Sequence, residues 1–368
     1  MKPIIRLISG LWLICLLLIG AAVIWGRVFP GPMLAYTSSA LDGSHTSLRV
    51  HDFRTQIQTN LSETGGSESG WSQDGRLAFV AAWDGNWDIY VWDGVTITNV
   101  SHNGANNYSP IWSADGRLAF MSKENIGGWW GEIYVWDGKG LIHVSPDHSG
   151  DGEPAWSRDG RLAFVSNLPH TEKIYVWDGT TSTLISQNMS EDKSPAWSDD
   201  GRLAFVCNRT GFSEICIWDG TEYIRVKKGN SENFEPIWSP DGRLAYISGW
   251  PAQYEGKIYV WDGTTVTKVS QDAIGYSALT WSPNGQLAFL HYEGNTRSIY
   301  AWDGAILTTV LQDTTNDYSL AWSKDGQLLL VSGEYGNREI YLWNGATLTN
   351  LTQSPSTDDS LPALWMPR

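Results

Sequence analysis

The sequence predicts an all-β protein, a ring of eight four-stranded blades forming a β-propeller, preceded by one N-terminal transmembrane helix. Three observations point to the ring. A unit of about 42 residues recurs along the chain, led by Trp71, Trp112, Trp156, Trp197, Trp238, Trp281, Trp322 and, in degraded form, Trp365. Each unit holds four short segments rich in Val, Ile, Tyr, Phe, Trp and Thr, bounded by Gly, Asp, Asn, Ser or Pro, which is strand and turn alternating. No helical 3.6-residue pattern interrupts them.

The unit Trp197–Gly220, WSDDGRLAFVCNRTGFSEICIWDG, shows the parts. Two of its turns carry Asp-Gly, as at Asp200-Gly201 and Asp219-Gly220; such pairs accept the positive φ of a tight hairpin. The LAF and IYVW segments are apolar almost throughout, so their sheets are covered on both faces. With no helices as cover, sheet must pack on sheet around an axis. The repeated tryptophans then read as packing between blades.

Taken in order, residues 1–26 stand apart. Lys2 and Arg6 precede an uncharged run from Leu7 to Trp25. At 1.5 Å per residue that run spans about 28 Å, near the thickness of a bilayer core. We expect an uncleaved single-pass anchor, N-terminus cytoplasmic, with the propeller extracytoplasmic in the periplasm or outside the cell; the alternative is a signal peptide cleaved near Gly20-Ala21-Ala22. Residues 27–32 form a short stalk and 33–368 the propeller. LAF-type strands start at Leu34, Leu77, Leu118, Leu162, Leu203, Leu244, Leu287 and Leu328, which counts eight blades. The first unit lacks its leading strand, and a spare one, residues 362–365 (PALW), sits at the other end. The spare strand is expected to complete the first blade and close the ring. Seven blades result if the first unit fails to form.

The unit resembles the TolB-like β-propeller repeat, a relative of the WD-repeat family. The resemblance is carried by WSPDGRLAY at Trp238–Tyr246, WSPNGQLAF at Trp281–Phe289, DGNWDIYVWD at Asp84–Asp93 and GNREIY at Gly336–Tyr341, and covers nearly all of 33–368. No α/β domain of the kind that precedes TolB's propeller fits ahead of Leu34, so the resemblance implies the fold and not TolB's role.

Setting aside Lys2 and Arg6, the rest of the chain carries 23 basic residues against 40 acidic, net −17. This argues against nucleic acid and anionic lipid as partners. Cys207 and Cys216 replace Ser166 and Tyr175 of the preceding unit and lie on consecutive strands, so a cross-strand disulfide is expected in an oxidising compartment.

In a four-stranded blade both Asp-Gly turns fall on one face of the disc. The loop between LAF and IYVW falls on the other, with the link to the next blade. Length differences concentrate on this second face, in loops bearing Trp83 and Trp87, Trp129 and Trp130, Trp250 and Tyr254, with link acids including Asp151, Glu153, Asp192 and Glu235. Aromatics beside carboxylates on a rigid scaffold suit a protein or carbohydrate ligand. The expected function is a binding or scaffolding module of the cell envelope, a monomeric propeller requiring no cofactor. Calcium is a weak option at Asp147–Glu153, whose oxygen spacing does not match the EF-hand loop. Enzyme motifs such as GxSxG, HExxH and Walker sequences are missing. The alternative is a metal-dependent polysaccharide lyase or hydrolase at the central channel, suggested by some TolB-like relatives, with His102 and His148 as ligands.

Overall fold

The computed structural model describes residues 32–365 apart from segments 41–45, 63–65, 124–130, 147–149, 168–170, 187–190, 209–210, 227–230, 251–254, 271–274, 294–295, 314–318, 335–336 and 354–356. Eight four-stranded antiparallel sheets form the blades. Blade 5 is typical. From the axis outward it runs Asp192–Trp197, Leu203–Asn208, Ser213–Trp218 and Tyr223–Val226. The residues assigned to the anchor and stalk, 1–31, lie outside the described residues, and among the described residues no helix is long and apolar enough to cross a membrane.

Blade 1 is assembled from both ends of the chain, in the order Ile57–Ser62, Thr46–Asp52, Met33–Ala40 and, innermost, Thr357–Trp365. The closing strand is therefore longer than PALW. Its register also corrects the sequence alignment. Leu364 stands opposite Leu34 as Trp197 stands opposite Leu203, so Leu364 occupies the repeat-tryptophan position and Trp365 lies one residue beyond, opposite Met33.

Eight apolar clusters hold the ring, each shared by two neighbouring blades and none confined to one. Phe79, Phe120, Phe164, Phe205 and Phe289, one per blade on the second strand, are fully buried. Each contributes about 1.5–3 kcal/mol of hydrophobic free energy, and only because the next blade covers it.

The inner-strand tryptophans are half-buried staples across the seams. Each indole Nε1 donates to a backbone carbonyl of the preceding blade, from Trp71 to Ala363 (2.9 Å) through Trp197 to Ala155 (3.1 Å) to Trp322 to Thr280 (3.1 Å). Each ring also meets the third-strand tryptophan of its own blade, centroids 6.2–6.5 Å apart.

Candidate functional site

The face bearing the Asp-Gly turns is committed to structure. In the outer turns the aspartate accepts from the two N–H groups that follow the glycine. Thus Asp178 Oδ1 accepts from Thr180 N and Thr181 N at 2.8 Å, with Gly179 at φ 104°. The Thr181 N–H, with the Thr180 hydroxyl and N–H behind it, holds the Asp178 carboxyl down at about 2. In the inner turns Arg76, Arg117, Arg161, Arg202 and Arg243 act as clamps. Arg202 Nε bonds Asp200 at 3.0 Å, and its guanidinium lies 4.4 Å from the Trp238 ring of blade 6. Arg117 adds a bond from Nη2 to the Gly160 carbonyl of the next blade at 2.8 Å. Offsetting the turn aspartates is half of what these arginines do; the other half is cation–π contact across a seam, which turn chemistry alone does not reveal. Clefts of about 340 and 330 Å³ open between neighbouring turns here, and every carboxylate lining them is already paired with an arginine.

The opposite face is stitched by a different device. Asn107, fully buried, donates through Nδ2 to the Ala105 carbonyl (2.9 Å), to Asp88 Oδ1 (3.1 Å) and back to the Trp87 carbonyl of blade 2 (3.3 Å). Asn233 reaches the Ser213 carbonyl of blade 5 at 2.8 Å, Asp151 exchanges backbone bonds with Gly131, and Asp359 N donates to the Arg338 carbonyl at 2.9 Å. These residues hold one repeat position, five before the tryptophan in blades 3 to 6. That periodic Asn or Asp was visible in the sequence and went unread. It corrects the expectation for Asp151 and Asp192: both are fully buried in the seams and present no carboxylate on the rim.

Next along the inner strand comes a bulge with positive φ, at Glu68, Ser109, Glu153, Ser194, Glu235 and Ala278 (φ 49–54°). Glu153 accepts from the Ser194 N–H of the next blade at 2.7 Å, and Glu68 likewise from Ser109 N. Burial pushes the Glu235 carboxyl up, as it does Glu172 and Asp359.

Of the aromatic residues expected to form a platform, Trp83 and Trp87 can be placed. Both stand about 37–38% exposed on one hairpin of blade 2. Trp83 leans on Tyr90, ring centroids 4.2 Å apart, and donates to Ser62 Oγ of blade 1 at 3.2 Å. Trp87 is pinned through its backbone to blade 3, its N–H on Asn106 Oδ1 at 3.0 Å. Neighbours in sequence, they are held by opposite neighbours in space. Trp129, Trp130 and Tyr254 lie outside the described residues, and Trp250 ends its strand opposite Glu255.

Cys207 and Cys216 form a disulfide, Cα atoms 5.8 Å apart, inside the seam between blades 4 and 5. They sit diagonally, Cys207 opposite Glu214 and Cys216 opposite Phe205. His102, exposed, contacts Asn99 at 3.5 Å, and His148 lies outside the described residues. Among the described residues no group of three or more His, Cys, Asp or Glu is placed to hold a metal ion; Asp147 and Ser149 of the calcium option lie outside them too.

The TolB β-propeller domain family matches residues 136–340. No curated protein matches the sequence. Among solved structures, a prolyl endopeptidase aligns at 14% identity and TM-score 0.61, over 80% of this chain and 50% of that one, so the chain spans about half its length. The propeller domain of the Trilobed protease from Pyrococcus furiosus aligns at 15% identity and TM-score 0.54, over 78% and 99%. That domain has an open velcro topology, whereas here the closing strand completes blade 1. TolB from Acinetobacter baumannii aligns at 17% identity and TM-score 0.45, over 88% and 79%.

Proposed function

The chain belongs to the TolB β-propeller family, and on that premise we propose that it is a non-enzymatic, membrane-anchored module of the cell envelope that binds a protein partner through its loop face. The observation that carries this reading is the division of labour between the faces. The Asp-Gly face repeats one arginine clamp through blades 2 to 6, with each clamp arginine paired to its turn aspartate. The loop face varies in length and composition while its backbone is pinned by buried polar residues, the arrangement of a rigid scaffold bearing specific loops.

Chain entry supports the same orientation. The Phe53 N–H donates to the Pro32 carbonyl at 3.0 Å, so the chain joins blade 1 at the turn Asp52–Ile57, on the Asp-Gly face. An anchor in 1–26 with a stalk of 27–32 would hold that face toward the bilayer and the loop face away from it. The disulfide supports an oxidising compartment.

The test is capture of envelope proteins on immobilised propeller, compared with Trp87→Ala and with Lys139→Ala on the other face. A partner retained by wild type and Lys139→Ala and lost by Trp87→Ala is the expected result. Loss with Lys139→Ala alone would place binding on the wrong face.

A further inference from the structure

The outermost strands differ in a way the repeat does not require. Those of blades 2, 3, 4, 6 and 8 have three residues and that of blade 5 has four, which leaves little open edge. Blade 7 ends instead in a seven-residue strand, Leu307–Asp313, whose sole sheet neighbour among the described residues is Thr296–Trp302. The hydrogen-bond phase of its free side follows from the turn. Asp303 N donates to the Ile306 carbonyl at 3.2 Å, so Trp302 and Leu307 form a non-hydrogen-bonded pair, Ala301 and Thr308 a bonded one, and Tyr300 and Thr309 a non-bonded one. The N–H and C=O groups of Leu307 and Thr309 therefore point away from the sheet.

Six consecutive residues of this edge, Leu307–Gln312 (LTTVLQ), carry no charge, proline or glycine. Leu307, Val310 and Leu311 pack inward on the core and fix the strand, and Ile306 beside it is 64% exposed. No lysine or proline guards it; a register shift between Ile299 and Tyr300 leaves Val310 without a cross-strand partner, so the regular open edge is Leu307–Thr309. The other long outer strand, Ile57–Ser62, is more polar, and its last residue takes the Trp83 indole of blade 2.

We propose that the free edge of Leu307–Asp313 receives an extended segment of a partner protein by strand addition, and that this segment is uncharged at its centre and basic at its ends. Main-chain pairing to an open edge provides the affinity. Charge selects the occupant. Asp303 precedes the uncharged run, Asp313 closes it opposite Arg297, and the chain carries a net charge of −15, so a basic-ended segment is attracted and a second copy of this acidic chain is repelled. The site lies on the circumference and is independent of the loop face.

The probe is the labelled peptide Lys-Thr-Val-Thr-Val-Thr-Lys, with a glutamate-ended version beside it, titrated into the full chain by fluorescence anisotropy. Thr309→Pro removes one outward N–H and leaves the bonds to Thr296–Trp302 in place. We expect saturable binding of the lysine-ended peptide, weakened roughly tenfold or more both by Thr309→Pro and by glutamate ends. Hydrogen exchange on the unsubstituted chain, read at residues 306–313, reports the same event should Thr309→Pro fail to fold; peptide-dependent slowing there is expected. Absence of binding, equal binding by a folded Thr309→Pro protein, unchanged exchange, or self-association through this edge would each overturn the proposal.

Discussion

Arg161 and Arg202, one blade apart on the Asp-Gly face, make the same contacts: their own turn aspartate, and the tryptophan and glycine carbonyl of the next blade. On the opposite face the corresponding loops of blades 2 and 3 share neither length nor composition, with 15 residues from Leu77 to Trp92 and 18 from Leu118 to Trp136. The carboxylates divide likewise. Asp178 and Asp200 are held down by hydrogen bonds from turn amides and from Arg202, whereas Glu172, Glu235 and Asp359 on the loop side are pushed up by burial. One face holds the ring together by repetition, which leaves the other free to differ.

Acid should break the first face most strongly. Groups whose folded pKa is depressed stabilise the fold above their unfolded value and lose that contribution as pH falls through the folded one. With Asp178 at about 2 and the other turn aspartates also lowered, melting temperature should fall between about pH 4 and pH 2, by an amount that solvent screening of these exposed turns moderates. A flat profile would mean the turns are ornamental. Asp359 works in the opposite sense. Its folded pKa is raised, so stability is lost as pH climbs above the ordinary aspartate value, and Asp359→Asn should gain on the parent chain from about pH 4 to pH 7.

Replacing both Cys207 and Cys216 by serine should lower unfolding free energy by about 2–3 kcal/mol, as expected for a bridge over nine residues, measured in urea. Arg202→Ala should cost less, about 1–2 kcal/mol, because Asp200 is more than half exposed and solvent weakens the ion pair. A cost below about 0.3 kcal/mol would demote the clamp to decoration. The smallest effect has the opposite sign. Tyr246 stands where five other blades carry Phe, and its hydroxyl is buried without a partner among the described residues, so Tyr246→Phe should stabilise by up to about 1 kcal/mol.

The ring, its blade count and its closure by the C-terminal strand were legible because they rest on the period of Trp197–Gly220 and on a spare strand matching a missing one. The seam chemistry was less so. Asp151 and Asp192 read as solvated rim acids because a single unit gives no sign that the residue five before the tryptophan turns back toward the previous blade. The reach of Arg202 was not legible because its second partner, Trp238, is a whole repeat away. The supports of Trp83 and Trp87 were not legible for a related reason: loop composition says which residues share a hairpin, not which neighbouring blade each one leans on.

The most direct test of the loop face as the recognition surface is a pair of photo-crosslinking side chains, one at Trp87 and one at Lys139, activated in intact cells. A discrete covalent adduct from position 87 and none from position 139 is the expected result. An adduct from position 139 with none from 87 would contradict the assignment of faces.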